Sequence, residues 1–220
     1  MKEKTFIEFY GVPRSGSTLA IRVLRTVCPT KHISHSHGWE KTDKPLIVTY
    51  RDCRDVGVSY WRTLFGQYDF EGKLINKITT EEEIRKIVRI TQTLFLSLEN
   101  CKKYYENKDN VLYLRYEYFW NNYDYLFSEI ERFFKVKIMK ELRQEVIRET
   151  NIESHKKIAK KIKPLHKGCE FRNYDSSTGI HSRHIYTGEP GTWKKIIIPE
   201  YHNFFTLLLA RELKKWEYEV

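Results

Sequence analysis

Gly11-Val12-Pro13-Arg14-Ser15-Gly16-Ser17-Thr18 gathers two glycines, a guanidinium and three hydroxyls into eight residues. The chemistry such a set can do is anion binding. The stretch follows a β-like run, Thr5 to Tyr10, and precedes a helix-like one, so a tight strand-to-helix turn would aim backbone N–H groups and the positive end of a helix dipole at one spot. A phosphate is the group that fits. The nucleoside-triphosphate loop reads G-x-x-x-x-G-K-[ST], and here both glycines and Thr18 are present while Ser17 stands in the lysine position. A triphosphate-and-magnesium reading is weakened accordingly. Taken alone, a glycine turn before a helix is ordinary turn chemistry and needs a second feature beside it.

That feature follows the strand-like run Leu46-Ile47-Val48-Thr49-Tyr50, where Arg51-Asp52-Cys53-Arg54-Asp55-Val56-Gly57-Val58-Ser59 opens another helix. Arg51 would then lie at the carboxyl end of a strand, the edge at which open α/β sheets bind ligands, with Ser59 two helical turns on. Two strand ends, each followed by phosphate chemistry, imply a ligand with separated phosphates.

With these residues the chain resembles the sulfotransferases that use 3′-phosphoadenosine 5′-phosphosulfate (PAPS). Pro13 to Thr18 is similar to the family's 5′-phosphosulfate loop, and Arg51 through Ser59 to its 3′-phosphate motif. Val111-Leu112-Tyr113-Leu114-Arg115-Tyr116-Glu117 resembles the strand whose tyrosine, here Tyr116, reaches the adenine. Gly188-Glu189-Pro190-Gly191-Thr192-Trp193 resembles the late glycine-rich segment, which makes Gly188 a cofactor residue. The resemblance implies PAPS as cofactor, a hydroxyl or amine acceptor, and sulfuryl transfer by in-line displacement. It also implies Arg14, Ser15, Gly16, Ser17 and Thr18 around the 5′ group, and Arg51 and Ser59 on the 3′-phosphate.

Sulfuryl transfer needs the charge growing on a phosphate leaving group to be neutralised, and a guanidinium, which stays charged and grips two oxygens, suits Arg14 to that task. The acceptor must lose a proton, so a base is needed. His35-Ser36-His37 ends the second strand-like run where cytosolic relatives place a lysine-threonine-histidine string; that alignment gives His37 the base position, and the short gap from His37 to Arg51 leaves His35 as the alternative. A metal pair from the two histidines lacks further ligands at suitable spacing. Leu19 replaces the family's adenine-packing tryptophan, and Tyr186-Thr187 replaces its late arginine-lysine pair, for which Arg183 or His184 could compensate. Glu117, acidic beside an anionic cofactor, reads as a supporting residue.

The elements that must hold these groups alternate in type. Strand-like runs at Phe6–Tyr10, His32–Ser36, Leu46–Tyr50 and Val111–Arg115 are separated by helical stripes, among them Ala20, Val23, Leu24 and Val27, and Ile84, Ile87, Val88, Thr91, Phe95 and Leu98, the latter opened by a Thr80/Glu83 capping box. Further helices are expected around Leu126, Ile130 and Phe133, around Leu142 and Val146, and as one unit over Pro199–Trp216 with its apolar face at Phe204, Phe205, Leu208 and Leu209. This pattern predicts an α/β fold, a central parallel sheet flanked by helices, as one domain over residues 1–220. Lys156 to Lys163 reads as a helix with Ile158 and Ile162 on its apolar stripe and a solvated lysine face; the sharper alternative is a rim for an acidic acceptor. Pro164 to Trp193 lacks a period and reads as a lid over the cofactor.

The chain has 220 residues, 40% of them hydrophobic, a formal charge of +10 and four cysteines without C-x-x-C spacing, which excludes a disulfide scaffold and suits an anion-binding, cytoplasmic protein. No apolar stretch reaches the roughly 20 residues of a membrane span. Basic charge with many aromatics also suits a non-catalytic nucleic-acid module, and the altered loop leaves a nucleotide kinase as a second enzyme reading. The strand-loop-helix settings favour the transferase, for which no nucleic acid is expected.

Overall fold

A computed structural model describes residues 6–29, 31–65, 77–162, 175, 178, 180 and 188–220. Most of the stretch expected as a lid, with Cys169, Arg183, His184, Tyr186 and Thr187, therefore lies outside the described residues.

Among the described residues four parallel strands form one sheet: β1 (Phe6–Gly11), β2 (His32–Ser36), β3 (Leu46–Tyr50) and β4 (Val111–Arg115), in the order β2-β1-β3-β4. All four coincide with the runs read from sequence, β1 extending one residue further to Gly11. Burial on both faces explains the near-continuous apolar run of the central β3, whereas the edge strand β2 buries only Ile33. Ile7, Phe9, Ile47, Leu112 and Leu114 pack to one side with Ala20, Leu24, Leu126 and Phe127; Tyr10, Val12, Leu46 and Val48 pack to the other with Val56, Ile87, Phe95 and Leu213. The period of two thus sends alternate residues of each strand into different cores.

The first core is covered by α1 (Ser17–Val27), α4 (Tyr116–Phe119), α5 (Tyr123–Phe134) and α6 (Lys140–Thr150), with α7 (Ile152–Lys161) packed on α6. The second is covered by α2 (Cys53–Phe65), α3 (Glu81–Tyr104), α8 (Trp193–Ile196), α9 (His202–Leu208) and α10 (Ala210–Lys215). The capping box of α3 is formed, with Thr80 Oγ1 accepting from the Glu83 amide and Glu83 accepting from the Thr80 amide. Cys28, Cys53 and Cys101 are buried free thiols. No helix among the described residues is long and apolar enough to cross a membrane.

Two expectations are corrected. Pro199–Trp216 is not one helix: a 3-10 turn at Pro199–Tyr201 precedes α9, and Leu209 (φ −106°, ψ 10°) separates α9 from α10. Phe205, Leu209 and Leu213 enter the core while Leu207 stays exposed. On α7 the buried face is His155 and Ala159, offset from Ile158 and Ile162; Lys157, Lys160 and Lys161 are exposed, as the solvated-face reading holds.

His155 gives a pH test of this packing. Its ring is buried, Nε2 has no hydrogen-bond partner, and burial followed by the nearby Arg22 charge pushes its pKa down to about 4. The folded state therefore resists the proton that an unfolded histidine accepts at about 6.5, so stability is lost as the pH falls from that value toward 4. Between pH 7 and pH 4.5 this group alone costs about 2 kcal/mol. Denaturant titrations of wild type and His155→Leu at both pH values should show the variant's acid loss smaller by that amount; equal losses would contradict the assignment.

Candidate active site

β1 and β3 are adjacent, yet the connection after β1 returns to β2 on one side and that after β3 leads to β4 on the other. Their carboxyl ends therefore flank a topological switch point, where open sheets leave a crevice. Both phosphate motifs begin there, with Gly11 in register with Thr49.

The first loop is tied down on both sides. The Val12 amide donates to Thr49 O (3.1 Å), the Ser15 amide to Val12 O (3.1 Å), and Ser15 Oγ and Thr49 Oγ1, both buried, share a 2.7 Å hydrogen bond. Arg14 (φ 71°) and Gly16 (φ 79°) are left-handed, the former a strained position for a side-chain residue and of the kind found at binding loops. Gly16 also admits no Cβ, which would strike the Tyr116 ring. Gly16 caps α1 without a side-chain hydrogen bond, so the first amides of that helix face the loop with no capping side chain.

Arg14 Nε donates to Ser59 Oγ (2.8 Å), which joins residues of the two phosphate motifs. Arg51, buried at the end of β3, donates from Nη2 to Asp55 Oδ2 (3.0 Å) and to Glu189 O (2.8 Å), and its guanidinium lies 4.5 Å from the Tyr116 ring centre. Arg51 Nε is buried without a hydrogen-bond partner. Tyr116 donates to Gly188 O (2.6 Å), and burial pushes its pKa up to about 12, which keeps that proton in place. Arg14 with Ser59, and Arg51 with Tyr116 and Gly188, thus lie where the carboxyl ends of β1 and β3 come together, although they come from distant parts of the chain.

His37 follows β2, and its Nδ1 lies 2.8 Å from Gly11 O. A carbonyl only accepts, so Nδ1 carries the proton and Nε2 of the neutral ring keeps its lone pair. His35 stands edge-on to His37 (ring centres 4.8 Å apart) and to Phe9 (5.7 Å). The residue is exposed on the edge strand, yet the apolar seat of its ring, then the charges of His37 and Arg25, push its pKa down to about 4.

Two residues missed by the motif reading belong to the site. Thr49 anchors Ser15, and Asp55, 3% exposed, accepts from Arg51, from the Gly191 amide (2.7 Å) and from the Trp193 amide (2.9 Å). The i,i+4 spacing of Arg51 and Asp55 across the start of a helix was the available signal. Glu117 accepts from the Asp52 amide (3.0 Å) and the Tyr218 hydroxyl (2.8 Å), a supporting position.

Three comparisons bear on this arrangement. No curated protein matches the chain. Mouse sulfotransferase SULT7A1, solved in complex with PAP, is 13% identical with a TM-score of 0.69, over 99% of this chain and 86% of that one. Retinol dehydratase, solved with androsterone and inactive cofactor PAP and with retinol and PAP, is 15% identical in both structures, with TM-scores of 0.64 and 0.63 over 96% of this chain and 81% of that one. These likenesses carry the fold. Residues 6–217 match the model of the family described as Sulfotransferase domain, and the chain belongs to that family.

Proposed function

We propose that the protein, as one domain, transfers a sulfuryl group from PAPS to a hydroxyl or amine acceptor. The observation that carries the proposal is Arg51 Nε, a buried donor without a partner, beside the uncapped amides of α1: two sets of anion donors at one switch point. That donor set fits a nucleotide with phosphates at both ends. The neighbours' complexes with PAP, the nucleotide product of PAPS, lend the same support.

When bound, PAPS supplies the sulfuryl group and a phosphate leaving group. The α1 amides and the Ser15–Thr18 loop would hold its 5′ end, Arg51 and Ser59 its 3′-phosphate, and Tyr116 and Gly188 would border the nucleotide. Arg14 would supply positive charge against the charge that grows on the leaving oxygen. His37 takes the acceptor's proton at Nε2, with Nδ1–H anchored on Gly11 O so that the ring is oriented before the acceptor arrives. His35, its pKa at about 4, is neutral at pH 7 and adds no repulsive charge to a protonated His37. Ser17 in the lysine position of the triphosphate loop leaves a kinase without its phosphate-gripping cation.

The test is acceptor-dependent turnover. With PAPS and a panel of phenols, alcohols, amines and acidic glycans, chromatography should detect release of 3′-phosphoadenosine 5′-phosphate that rises with one acceptor class. Turnover of ATP with magnesium, and none of PAPS, would overturn the proposal.

A further inference from the structure

We infer that Asp55 is a positioning residue for the nucleotide, a latch whose single carboxylate fixes both Arg51 and the Gly188–Trp193 turn against it. This rests on the nucleotide reading above. Residues some 138 positions apart converge on that carboxylate: Oδ2 accepts from Arg51 Nη2 and the Gly191 amide, and Oδ1 from the Trp193 amide. Arg51 Nη2 also donates to Glu189 O, so arginine, carboxylate and turn form a closed ring of hydrogen bonds.

The turn has reason to need an acceptor. Gly188 (φ 70°) and Gly191 (φ 78°) are left-handed, and α8 is a four-residue helix whose Thr192 cap makes no side-chain hydrogen bond to its amides. Asp55 caps that helix from a distance, placing negative charge where the first amides point. With Nη2 fixed by Asp55 and Glu189 and the guanidinium plane held at Tyr116, Arg51 is oriented before any ligand arrives, which lowers the ordering cost of binding. Asp55 would repel a phosphate if its oxygens faced one, but both are taken up by donors. Burial raises the Asp55 pKa while Arg51 and the two amides pull it back, as expected of a carboxylate retained for the donors it gathers.

Asp55→Asn keeps the shape and removes the charge, and it turns one acceptor into a donor aimed at Arg51 or an amide. In ligand-free protein, the Gly191 and Trp193 amides should lose about 10- to 100-fold of their hydrogen-exchange protection while α3 amides keep theirs. Affinity for 3′-phosphoadenosine 5′-phosphate should fall by about the same factor, KM for PAPS should rise by more than kcat falls, and Arg51→Ala should add little to Asp55→Asn in the double variant. Folded Asp55→Asn with unchanged affinity, or losses that add fully, would overturn the role of Asp55 alone. Wild type that does not bind the bisphosphate would overturn the nucleotide reading itself. If Asp55→Asn does not fold, exchange in the wild type decides: protected Gly191 and Trp193 amides support the latch, and amides that exchange as an open loop overturn it.

Discussion

Replacing His37 with alanine lowers kcat for sulfuryl transfer by about 10²- to 10⁴-fold and leaves affinity for 3′-phosphoadenosine 5′-phosphate unaffected. The split follows from what the ring does. Its Nδ1–H is donated to Gly11 O, which sets the tautomer and ties the ring to the end of β1, so Nε2 is the atom proposed as the base. His35 is one pleat back on the edge strand and packs on Phe9; its alanine variant should cost only a few-fold through loss of support to the His37 ring. Steady-state kinetics of both variants with one acceptor decides the assignment. A larger loss in His35→Ala than in His37→Ala would reverse it.

Arg14→Ala should lower kcat by about 10²- to 10³-fold, the range for removing one preorganised donor from developing negative charge. Affinity should weaken as well, because Arg14 Nε donates to Ser59 Oγ and its loss disturbs the hydroxyl assigned to the 3′-phosphate. Through that bond Arg14 links the two phosphate motifs. Arg14→Lys restores charge but not the fork, and should recover most of kcat while leaving the bisphosphate affinity reduced. Unchanged kcat in Arg14→Ala would remove Arg14 from the chemistry.

The places of these residues in the fold were legible because they depend on local order. A strand, a glycine turn and a helix are contiguous in Phe6–Val27, and a strand, a turn without glycine and a helix in Leu46–Phe65, so residue type and period sufficed to place Arg14 and Arg51 at strand ends. What escaped was set by contacts across the chain. Asp55 gains its meaning from amides at 191 and 193, which no spacing near residue 55 announces. Phe205, Leu209 and Leu213 keep one apolar period across Leu209, so the spacing does not mark where α9 gives way to α10. On α7 the two isoleucines suggested the buried face, whereas His155 and Ala159 occupy it, because which side of the helix is covered depends on the neighbours it packs on and not on its own period.

This switch point is proposed to hold a nucleotide phosphorylated at both the 3′ and 5′ ends. Calorimetric titration with 3′-phosphoadenosine 5′-phosphate, set against ATP with and without magnesium, in wild type and Arg51→Ala, tests it most directly. Tight, magnesium-independent binding of the bisphosphate that is lost in Arg51→Ala, with ATP weak throughout, is the predicted result. Preference for ATP with magnesium, or bisphosphate binding that Arg51→Ala leaves intact, would contradict it.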